Sequence, residues 1–232
     1  MKAFIAGIQD ISTIDYPGKL CSVIFFAGCN LRCRYCFNSK FLEFKDEFLR
    51  CIEDVKENIV KNLPLIEAIM FSGAEPLLQE EALIDISAWA KCKGLSVGIE
   101  TNGTKPRVLE KALNMKLLDF VAMDIKAPLE RYENVVQVNN KIPKKVSESI
   151  KIIRQLGVER EFRTTFVPDL IDINDIENIH MIVGQDKWAW QRFRYDLGEI
   201  LDKQLLGRDF SPDERTRFET LSKQFRNVVL RF

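Results

Sequence analysis

The sequence lacks an excess of charge of either sign. Its 34 lysine and arginine residues are balanced by 34 aspartate and glutamate residues among 232 positions. A general nucleic-acid-binding protein needs a basic excess, so we expect no nucleic-acid partner. Histidine is also scarce, because His180 is the only one in the chain. A single histidine far from the cysteine-rich segment gives little support to a Cys/His metal site.

Long apolar runs are missing as well. No apolar segment approaches the length of about 20 residues that a membrane-spanning helix needs. The first ten residues, MKAFIAGIQD, hold too short an apolar stretch for a signal peptide. We therefore expect a cytoplasmic protein without a membrane partner. The sequence has no internal repeat and no linker rich in proline, glycine or serine, which favours a single globular domain.

Cysteine, in contrast, is well represented, with six residues in the chain. Three of them, Cys29, Cys33 and Cys36, follow an apolar run in the segment GCNLRCRYCFN, with the spacing C-x3-C-x2-C. Three thiolates on one short loop can hold three irons of a 4Fe–4S cluster. Because no fourth cysteine is nearby, one iron stays open to a substrate or cofactor. Buried structural thiols are predicted for the other three, Cys21, Cys51 and Cys92.

Two other metal sites could use the three clustered cysteines. A zinc site usually takes two paired groups of ligands or a Cys/His set. The sequence has no second C-x2-C pair, and its one histidine is distant. A ferredoxin loop adds a fourth cysteine, often beside proline, and none is present. The spacing therefore favours an open cluster over both alternatives.

Apolar runs and amphipathic segments alternate along the chain, with glycine or proline at their junctions. The apolar runs predict strands at residues 21–27, 66–72, 95–100, 118–125, 158–167 and 187–195. The amphipathic segments predict helices at residues 45–62, 80–93, 107–114, 144–156 and 172–183. A capping box with Pro212 at the first helical position predicts a further helix to about Arg226, and a last strand follows.

This alternation implies parallel βαβ units with right-handed crossovers. In such proteins the loops at the carboxyl ends of the strands build the site. The rule predicts that the cysteine loop shares one rim with the residues at the later strand ends. These residues are Gly73, Glu100, Asp124, Arg163 and Arg194.

The C-x3-C-x2-C loop resembles that of the radical S-adenosylmethionine (SAM) enzymes, in which the amino and carboxylate groups of SAM chelate the open iron. The resemblance implies one 4Fe–4S cluster per chain and SAM as cofactors. It also implies an α/β fold, the partial (βα)6 three-quarter TIM-like barrel of the radical SAM type. We expect an N-terminal arm over residues 1–20, the barrel over 21–195 and a C-terminal extension over 196–232 that packs on the barrel.

The segment SGAEP at the end of the second predicted strand resembles the Gly-Gly-Glu-Pro motif that receives the amino group of SAM. The resemblance implies that Gly73, Ala74 and Glu75 bind the cofactor. Ala74 replaces the second glycine of the motif. If that position requires a positive φ, the methyl group costs about 1 kcal/mol or more and weakens SAM binding. The alternative interpretation is a plain turn after a strand.

Two further strand ends resemble segments of the glycyl-radical-activating enzymes. GIETNG resembles their Asp-Thr-Asn-Gly segment, and it implies cofactor-binding roles for Glu100, Thr101 and Asn102. MDIKAP resembles their Asp-x-Lys segment, where acidic residues help to hold SAM and, in some members, a monovalent cation. It implies cofactor-binding roles for Asp124 and Lys126, and Lys126 would also face the radical and the substrate peptide as the catalytic residue. The alternative for this pair is an ion pair at a strand end.

Arg163 and Phe37 complete the expected cofactor site. Arg163 in EFRTTFVP corresponds to an arginine that contacts SAM or its acidic neighbours in the activating enzymes. An exposed position on an alternating strand would also explain Glu161 and Arg163. Phe37 directly follows the last clustered cysteine, where an aromatic residue is common in the wider family and implies packing on the adenine. Arg194 corresponds to a histidine that lies over the adenosine in a related enzyme.

DYPGK at residues 15–19, together with TNG, AMDIKAPLERY and EFRTTFVP, resembles the anaerobic ribonucleoside-triphosphate reductase activating proteins. This branch is related to pyruvate formate-lyase activating enzyme. The resemblance implies that the reduced cluster passes one electron to SAM, and that a 5′-deoxyadenosyl radical removes a glycine Cα hydrogen from a partner glycyl radical enzyme. A flavodoxin or ferredoxin is expected as the electron donor. The alternatives are a radical SAM enzyme with a small-molecule substrate and an iron–sulfur or zinc binding module that serves as an electron carrier or scaffold.

Overall fold

The computed structural model describes residues 1–138, 141–196 and 198–232. The strands in these ranges are β1 (Lys2–Ser12), β2 (Cys21–Phe26), β3 (Leu49–Cys51), β4 (Ala68–Gly73), β5 (Ser96–Thr101), β6 (Phe120–Asp124), β7 (Glu159–Phe166), β8 (Trp188–Arg192) and β9 (Val228–Arg231). The α-helices are α1 (Ile52–Val60), α2 (Glu80–Cys92), α3 (Pro106–Asn114), α4 (Tyr132–Val136), α5 (Ile142–Leu156), α6 (Ile176–Val183) and α7 (Pro212–Ser222). The six strands predicted from the apolar runs are thereby confirmed, with small shifts at their ends.

The chain divides into two compact units, each assembled from separate segments. The first unit consists of Met1–Asn30, Lys40–Ala122 and Lys145–Glu159. The second unit consists of Leu31–Ser39, Met123–Lys144 and Arg160–Phe232. The expected division into an arm, a barrel and a C-terminal extension stays a prediction. In the ranges that the structure describes, no helix is long and apolar enough to cross a membrane.

The first unit is built on strands in the spatial order β3-β1-β2-β4-β5-β6. Strand β2 pairs in parallel with β4, and β4 pairs in parallel with β5, as the βαβ rhythm predicted. The first twelve residues add an antiparallel strand, because β1 pairs with both β2 and β3. The central strands are buried along almost their whole length, which explains why they read as continuous apolar runs.

The DYPGK segment packs on the first unit through Tyr16, near the amino ends of its parallel strands. Tyr16 is only 2% exposed and joins an apolar cluster with Cys21, Met70 and Phe120, among others. The ammonium of Lys19 donates a hydrogen bond to Ser96 Oγ at 2.5 Å, at the first residue of β5. The segment therefore has a structural role here, closing the unit at the amino ends of its strands.

The second unit presents two different faces of the parallel strands β7, β8 and β9. One face is an aromatic layer, in which Trp188 and Trp190 are fully buried and pack edge to face with ring centroids 5.1 Å apart. Phe218 of α7 and Phe225 cover this layer. Because side chains alternate along a strand, Glu161 and Arg163 lie on the opposite face. The strands thus separate an aromatic layer on one face from a buried pair of charged side chains on the other.

Two helix predictions need correction. The segment predicted as one helix over residues 45–62 begins with a 3-10 turn at Asp46–Phe48, continues as β3 and becomes helical only from Ile52. The start of β1 provides an antiparallel partner for β3, and this pairing overrides the local helical preference. The helix predicted to reach about Arg226 ends at Ser222. The short helix α4 was not predicted.

Candidate active site

Gly73, Ala74 and Glu75 form a tight loop between the carboxyl end of β4 and the end of β2. Gly73 has a φ of +98°, and a Cβ atom there would lie 2.5 Å from the backbone oxygen of Phe26. The amide of Ala74 donates to that same oxygen at 2.9 Å, and the amide of Glu75 donates to the Gly28 oxygen at 3.0 Å. The close backbone approach therefore explains the glycine at position 73.

Ala74 does not adopt a positive φ. It is absent from the non-glycine residues of positive φ in the described part of the chain, which are Lys116, Gln137, Lys141 and Asp169. The expectation that its methyl group is costly rested on a positive φ, and that premise is wrong. The positive φ belongs to the preceding residue, Gly73, because that is where the loop reverses against β2.

The carboxylate of Glu75 is fully buried and links two loops of the first unit. Its Oε1 atom accepts hydrogen bonds from the hydroxyl of Thr101 at 2.8 Å and from the amide of Leu77 at 3.1 Å. Its Oε2 atom accepts from the amide of Asn102 at 2.7 Å. A buried carboxylate with this many donors holds its neighbours in place. Glu75 therefore positions the Thr101–Asn102 loop, and its direct contact with SAM stays a prediction.

Glu100 and Asn102 bring further polar groups to the carboxyl end of β5. The hydroxyl of Ser72, at the end of β4, donates to Glu100 Oε2 at 2.5 Å. The side-chain nitrogen of Asn102 lies 3.8 Å from the sulfur of Cys29. Four of the expected cofactor-binding positions, Glu75, Glu100, Thr101 and Asn102, are thus brought together with Cys29 inside one unit.

Asp124 and Lys126 form an ion pair in the second unit, with 2.8 Å between Lys126 Nζ and Asp124 Oδ2. Burial alone would lower the pKa of Lys126, but attraction by Asp124, with smaller contributions from Tyr35 and Cys33, raises the pKa well above its usual value. Lys126 is therefore an ammonium at neutral pH. The ion pair at a strand end, which was the alternative interpretation of these two residues, is confirmed. The roles of both residues toward SAM stay predictions.

Two tyrosines that the sequence interpretation missed surround this ion pair. The ring of Tyr35 lies beneath Lys126 Nζ, with 5.9 Å between the nitrogen and the ring centroid. The hydroxyl of Tyr132 donates to the Asp124 backbone oxygen at 3.3 Å, and it lies 3.2 Å from the Lys126 amide. Burial raises the pKa of both hydroxyls, so both are neutral. Tyr35 could have been identified from the sequence, because it lies between Cys33 and Cys36.

Cys33 and Cys36 lie in the second unit on the same short loop. The amide of Cys36 donates to the Cys33 oxygen at 3.0 Å, and the Cys36 oxygen accepts from the amide of Leu201 at 3.1 Å. Burial raises the pKa of the Cys33 thiol to about 11. Phe37 is 45% exposed, and its packing on an adenine stays a prediction.

Arg163 is buried, so an exposed position on an alternating strand is the wrong explanation for it. Glu161 is 0% exposed and Arg163 is 7% exposed, with 2.9 Å between Arg163 Nε and Glu161 Oε1. The carboxylate also binds Lys187 and Arg231. Although Arg163 is not the last residue of β7, its backbone oxygen accepts from the amide of Ile125 at 2.8 Å. It is therefore level with the end of β6, and its contact with SAM stays a prediction.

Three predicted positions differ from expectation. Arg194 lies beyond the end of β8 on an exposed segment, where it pairs with Asp196 at 2.7 Å. Among the three cysteines outside the clustered loop, only Cys21 is buried as predicted, while Cys51 is partly exposed and Cys92 is exposed. Cys92 is the last residue of α2, where the side chain points away from the helix face that packs.

The donor set of the cysteine loop fits an iron–sulfur cluster. Cys29, Cys33 and Cys36 are free of disulfide bonds, and thiolates are the ligands that such clusters use. Within the described ranges, no three His, Cys, Asp or Glu side chains are arranged to bind one shared metal ion. A cubane cluster makes a different demand, because each thiolate binds its own iron. Bound iron would also deprotonate the buried Cys33 thiol.

Comparison with known proteins identifies the family. The model of the Radical SAM superfamily matches residues 23–183, more than half of the chain. The chain belongs to the radical SAM superfamily. A Methanocaldococcus jannaschii protein named as a glycyl-radical enzyme activating enzyme is 42% identical over 198 residues, covering 83% of this chain and 81% of that protein. The pyruvate formate-lyase-activating enzyme of Clostridium pasteurianum is 26% identical and covers 97% of this chain and 98% of that enzyme.

A third relative is named for a different activity. A solved structure supports the predicted fold. The 7-carboxy-7-deazaguanine synthase of Archaeoglobus fulgidus is 30% identical over 179 residues, covering 70% of each chain. The structure of Streptococcus suis SuiB bound to S-adenosylmethionine matches with a TM-score of 0.66 at 11% identity, covering 90% of this chain and 52% of SuiB. This chain spans about half of SuiB. The predicted α/β fold, a partial (βα)6 barrel of the radical SAM type, is confirmed.

Proposed function

We propose that this radical SAM enzyme is an activase that places a glycyl radical on a partner enzyme. The similarity to the Methanocaldococcus activating enzyme carries the proposal, because it extends over 81% of that protein at 42% identity. The Clostridium relative, named for the activation of pyruvate formate-lyase, is similar over nearly its whole length. The partner would be a glycyl radical enzyme of the anaerobic ribonucleotide reductase or pyruvate formate-lyase type.

Three cysteines, Cys29, Cys33 and Cys36, would hold the cluster. When bound, the cluster and SAM together supply a one-electron cleavage that yields an adenosyl radical able to take hydrogen from a glycine Cα. Gly73 supports the assignment of its loop to SAM binding, because the absence of a side chain lets the loop lie close to β2. In the second unit, the charged Lys126 ammonium is fixed by Asp124 and the Tyr35 ring, which suits it to orient an anionic or carbonyl group of the substrate.

The proposal includes the finer points of the expected cofactors and partners. A monovalent cation near the carboxylate of SAM is part of the proposal, as the resemblance to the activating enzymes implied. A flavodoxin or ferredoxin would donate the electron, since the sequence contains one cysteine cluster only. We also propose a cytoplasmic location, together with the absence of nucleic-acid partners that the balanced charge predicted.

A small-molecule substrate is the second candidate, and one observation favours it. The Archaeoglobus relative is named as a synthase of 7-carboxy-7-deazaguanine and is 30% identical to this chain. An enzyme of this kind would cleave SAM productively without a protein partner. The lower identity and coverage make it the less favoured of the two proposals.

The test is electron paramagnetic resonance on the reconstituted enzyme mixed with a candidate glycyl radical enzyme from the same genome. We expect a glycyl doublet that requires both SAM and reductant and disappears in the Cys33→Ala variant. The small-molecule candidate makes the opposite prediction. Under it, no partner gains a doublet, and a low-molecular-weight substrate accelerates the release of 5′-deoxyadenosine.

Iron content tests the cluster assignment separately from the partner. Replacing Cys21, Cys51 and Cys92 together by alanine should leave about four irons per chain after anaerobic reconstitution. Replacing Cys29, Cys33 or Cys36 alone should remove most of that iron. Iron loss in the triple variant, with its fold retained by circular dichroism, would show that the assignment of ligands is wrong.

A further inference from the structure

We propose that Asn102 raises the reduction potential of the cluster by donating a hydrogen bond to the sulfur of Cys29. This inference rests on the cluster assigned under the proposed function and adds a role that the SAM-binding expectation for Asn102 does not include. Asn102 Nδ2 lies 3.8 Å from Cys29 Sγ, a distance suited to a hydrogen bond to sulfur. Asn102 acts through Cys29 and is therefore a positioning residue.

The orientation of the Asn102 amide is fixed by its other contacts. The backbone amide of Thr104 donates to Asn102 Oδ1 at 2.9 Å, and a backbone N–H cannot act as an acceptor. The Thr104 hydroxyl contacts the same oxygen at 2.6 Å. If the side-chain amide were flipped, two donors would face each other at Thr104. The nitrogen, and not the oxygen, therefore points toward Cys29.

A buried network holds this amide in place before any cofactor binds. Asn102 is 4% exposed and Thr104 is 1% exposed. Asn30, the residue after Cys29, donates a hydrogen bond from its Nδ2 atom to Thr104 Oγ1 at 2.8 Å. Its Oδ1 atom accepts a hydrogen bond from Asn102 Nδ2 at 3.3 Å. The backbone amide of Asn102 is bound by Glu75. Because its orientation is fixed, the N–H group needs no reorganisation when charge develops on the sulfur.

The direction of the effect follows from charge. Reduction adds one electron to the cluster, supplied by an external low-potential reductant, and moves no proton. The added negative charge is shared with the thiolate sulfurs, so a donor aimed at Cys29 stabilises the reduced state more than the oxidised state. Hydrogen bonds to the sulfurs are one of the determinants of the reduction potential of iron–sulfur clusters. Loss of the donor should therefore make the cluster harder to reduce.

The experiment is a potentiometric titration of the reconstituted enzyme, with the reduced cluster measured by electron paramagnetic resonance. Asn102→Leu removes the donor at similar volume. Poised at the wild-type midpoint potential, this variant should show at least a threefold lower ratio of reduced to oxidised cluster. A tenfold change would equal about 59 mV for one electron. Asn102→Asp keeps the size and the acceptor for Thr104, and should shift the ratio in the same direction or further.

Asn58→Leu is the matched control, because it makes the same change of side chain at an exposed position of α1 that takes no part in the network. Its ratio should stay within about twofold of wild type. The inference is overturned if both Asn102 variants keep the wild-type potential, or if Asn58→Leu shifts it as far as Asn102→Leu does. Failure of the wild-type protein to take up a cluster would instead contradict the proposed function. If the leucine variant does not fold, the aspartate variant decides the question.

Discussion

The two ends of the parallel strands in the first unit are both buried, but they are built from opposite chemistry. At the amino ends, Tyr16 lies 2% exposed among apolar side chains such as Met70 and Phe120. At the carboxyl ends, Glu75 is 0% exposed, yet its carboxylate accepts hydrogen bonds from Thr101, Leu77 and Asn102. The same strands thus have an apolar cluster at their amino ends and a network of hydrogen-bonded polar groups at their carboxyl ends.

The difference separates stability from function along one set of strands. A buried aromatic ring such as that of Tyr16 contributes to the stability of the fold whatever ligand is bound, since its burial removes apolar surface from water. A buried carboxylate that accepts several hydrogen bonds, such as that of Glu75, contributes little net stability but fixes the geometry of the loops around it. Substitutions at the amino ends should therefore change stability without changing cofactor binding, whereas substitutions at the carboxyl ends should change cofactor binding as well.

The largest effect on stability should come from Tyr16→Ala. Removing a fully buried aromatic side chain costs about 3–5 kcal/mol, since the cavity left behind collapses only in part. We expect this loss in urea unfolding of the cluster-free protein, while the folded fraction keeps its affinity for SAM. Leu65→Ala, at a 58% exposed position, is the control and should change the unfolding free energy little. A loss of SAM affinity without a loss of stability would contradict the division between the two ends.

Glu75→Gln should have the next largest effect, and it should show mainly in SAM binding. Glutamine keeps the size, but its NH2 group cannot accept from the amide of Leu77 or Asn102, which leaves a buried donor unsatisfied at a cost of about 1–3 kcal/mol. The Thr101–Asn102 loop loses its anchor, so equilibrium dialysis should show weaker SAM binding. Glu110→Gln, on the exposed surface of α3, should bind like wild type. Equal affinities for both variants would remove Glu75 from the site.

Periodicity and breakers in the sequence predicted the strands well, because each central strand is a continuous apolar run bounded by glycine or proline. They failed at residues 49–51, where pairing with β1 overrides a helical pattern. Such long-range pairing leaves no local signal in the sequence. The motifs located the loop of Gly73 and Glu75 at the end of β4. A positive φ was considered for Ala74, whereas the structure has it at Gly73.

The side-chain partners in the site could be predicted only where neighbours in sequence are also neighbours in space. The ion pair of Asp124 and Lys126, two residues apart, was foreseen as an alternative. The contact of Asn102 with Cys29 joins positions 73 residues apart and was not foreseen. The contacts of Tyr132 with this pair span only six to eight residues, but they depend on the short helix α4, which was not predicted. The strand-end rule grouped residues on one rim without indicating which side chains touch.

A smaller effect is expected from the hydroxyl group at the apolar end. Burial raises the pKa of Tyr16 to about 12, with smaller contributions from Asp119 and Glu159. The unfolded chain ionises first, near pH 10, so this stabilisation is complete below about pH 10 and is lost as the pH rises toward 12. The unfolding free energy of wild type should therefore fall more steeply over this range than that of Tyr16→Phe. Parallel curves would mean that the hydroxyl is not desolvated.

The smallest effect is expected for Ala74→Gly, and it tests the loop most closely. Ala74 has an ordinary φ, so removing its methyl group relieves no strain, and SAM affinity should stay within about twofold of wild type. Gly73→Ala is the matched partner. There a Cβ atom would meet the Phe26 oxygen at 2.5 Å on a backbone of φ +98°, and both stability and SAM binding should fall. If Ala74→Gly instead tightened SAM binding strongly, the loop would have to change conformation at residue 74 when the cofactor binds.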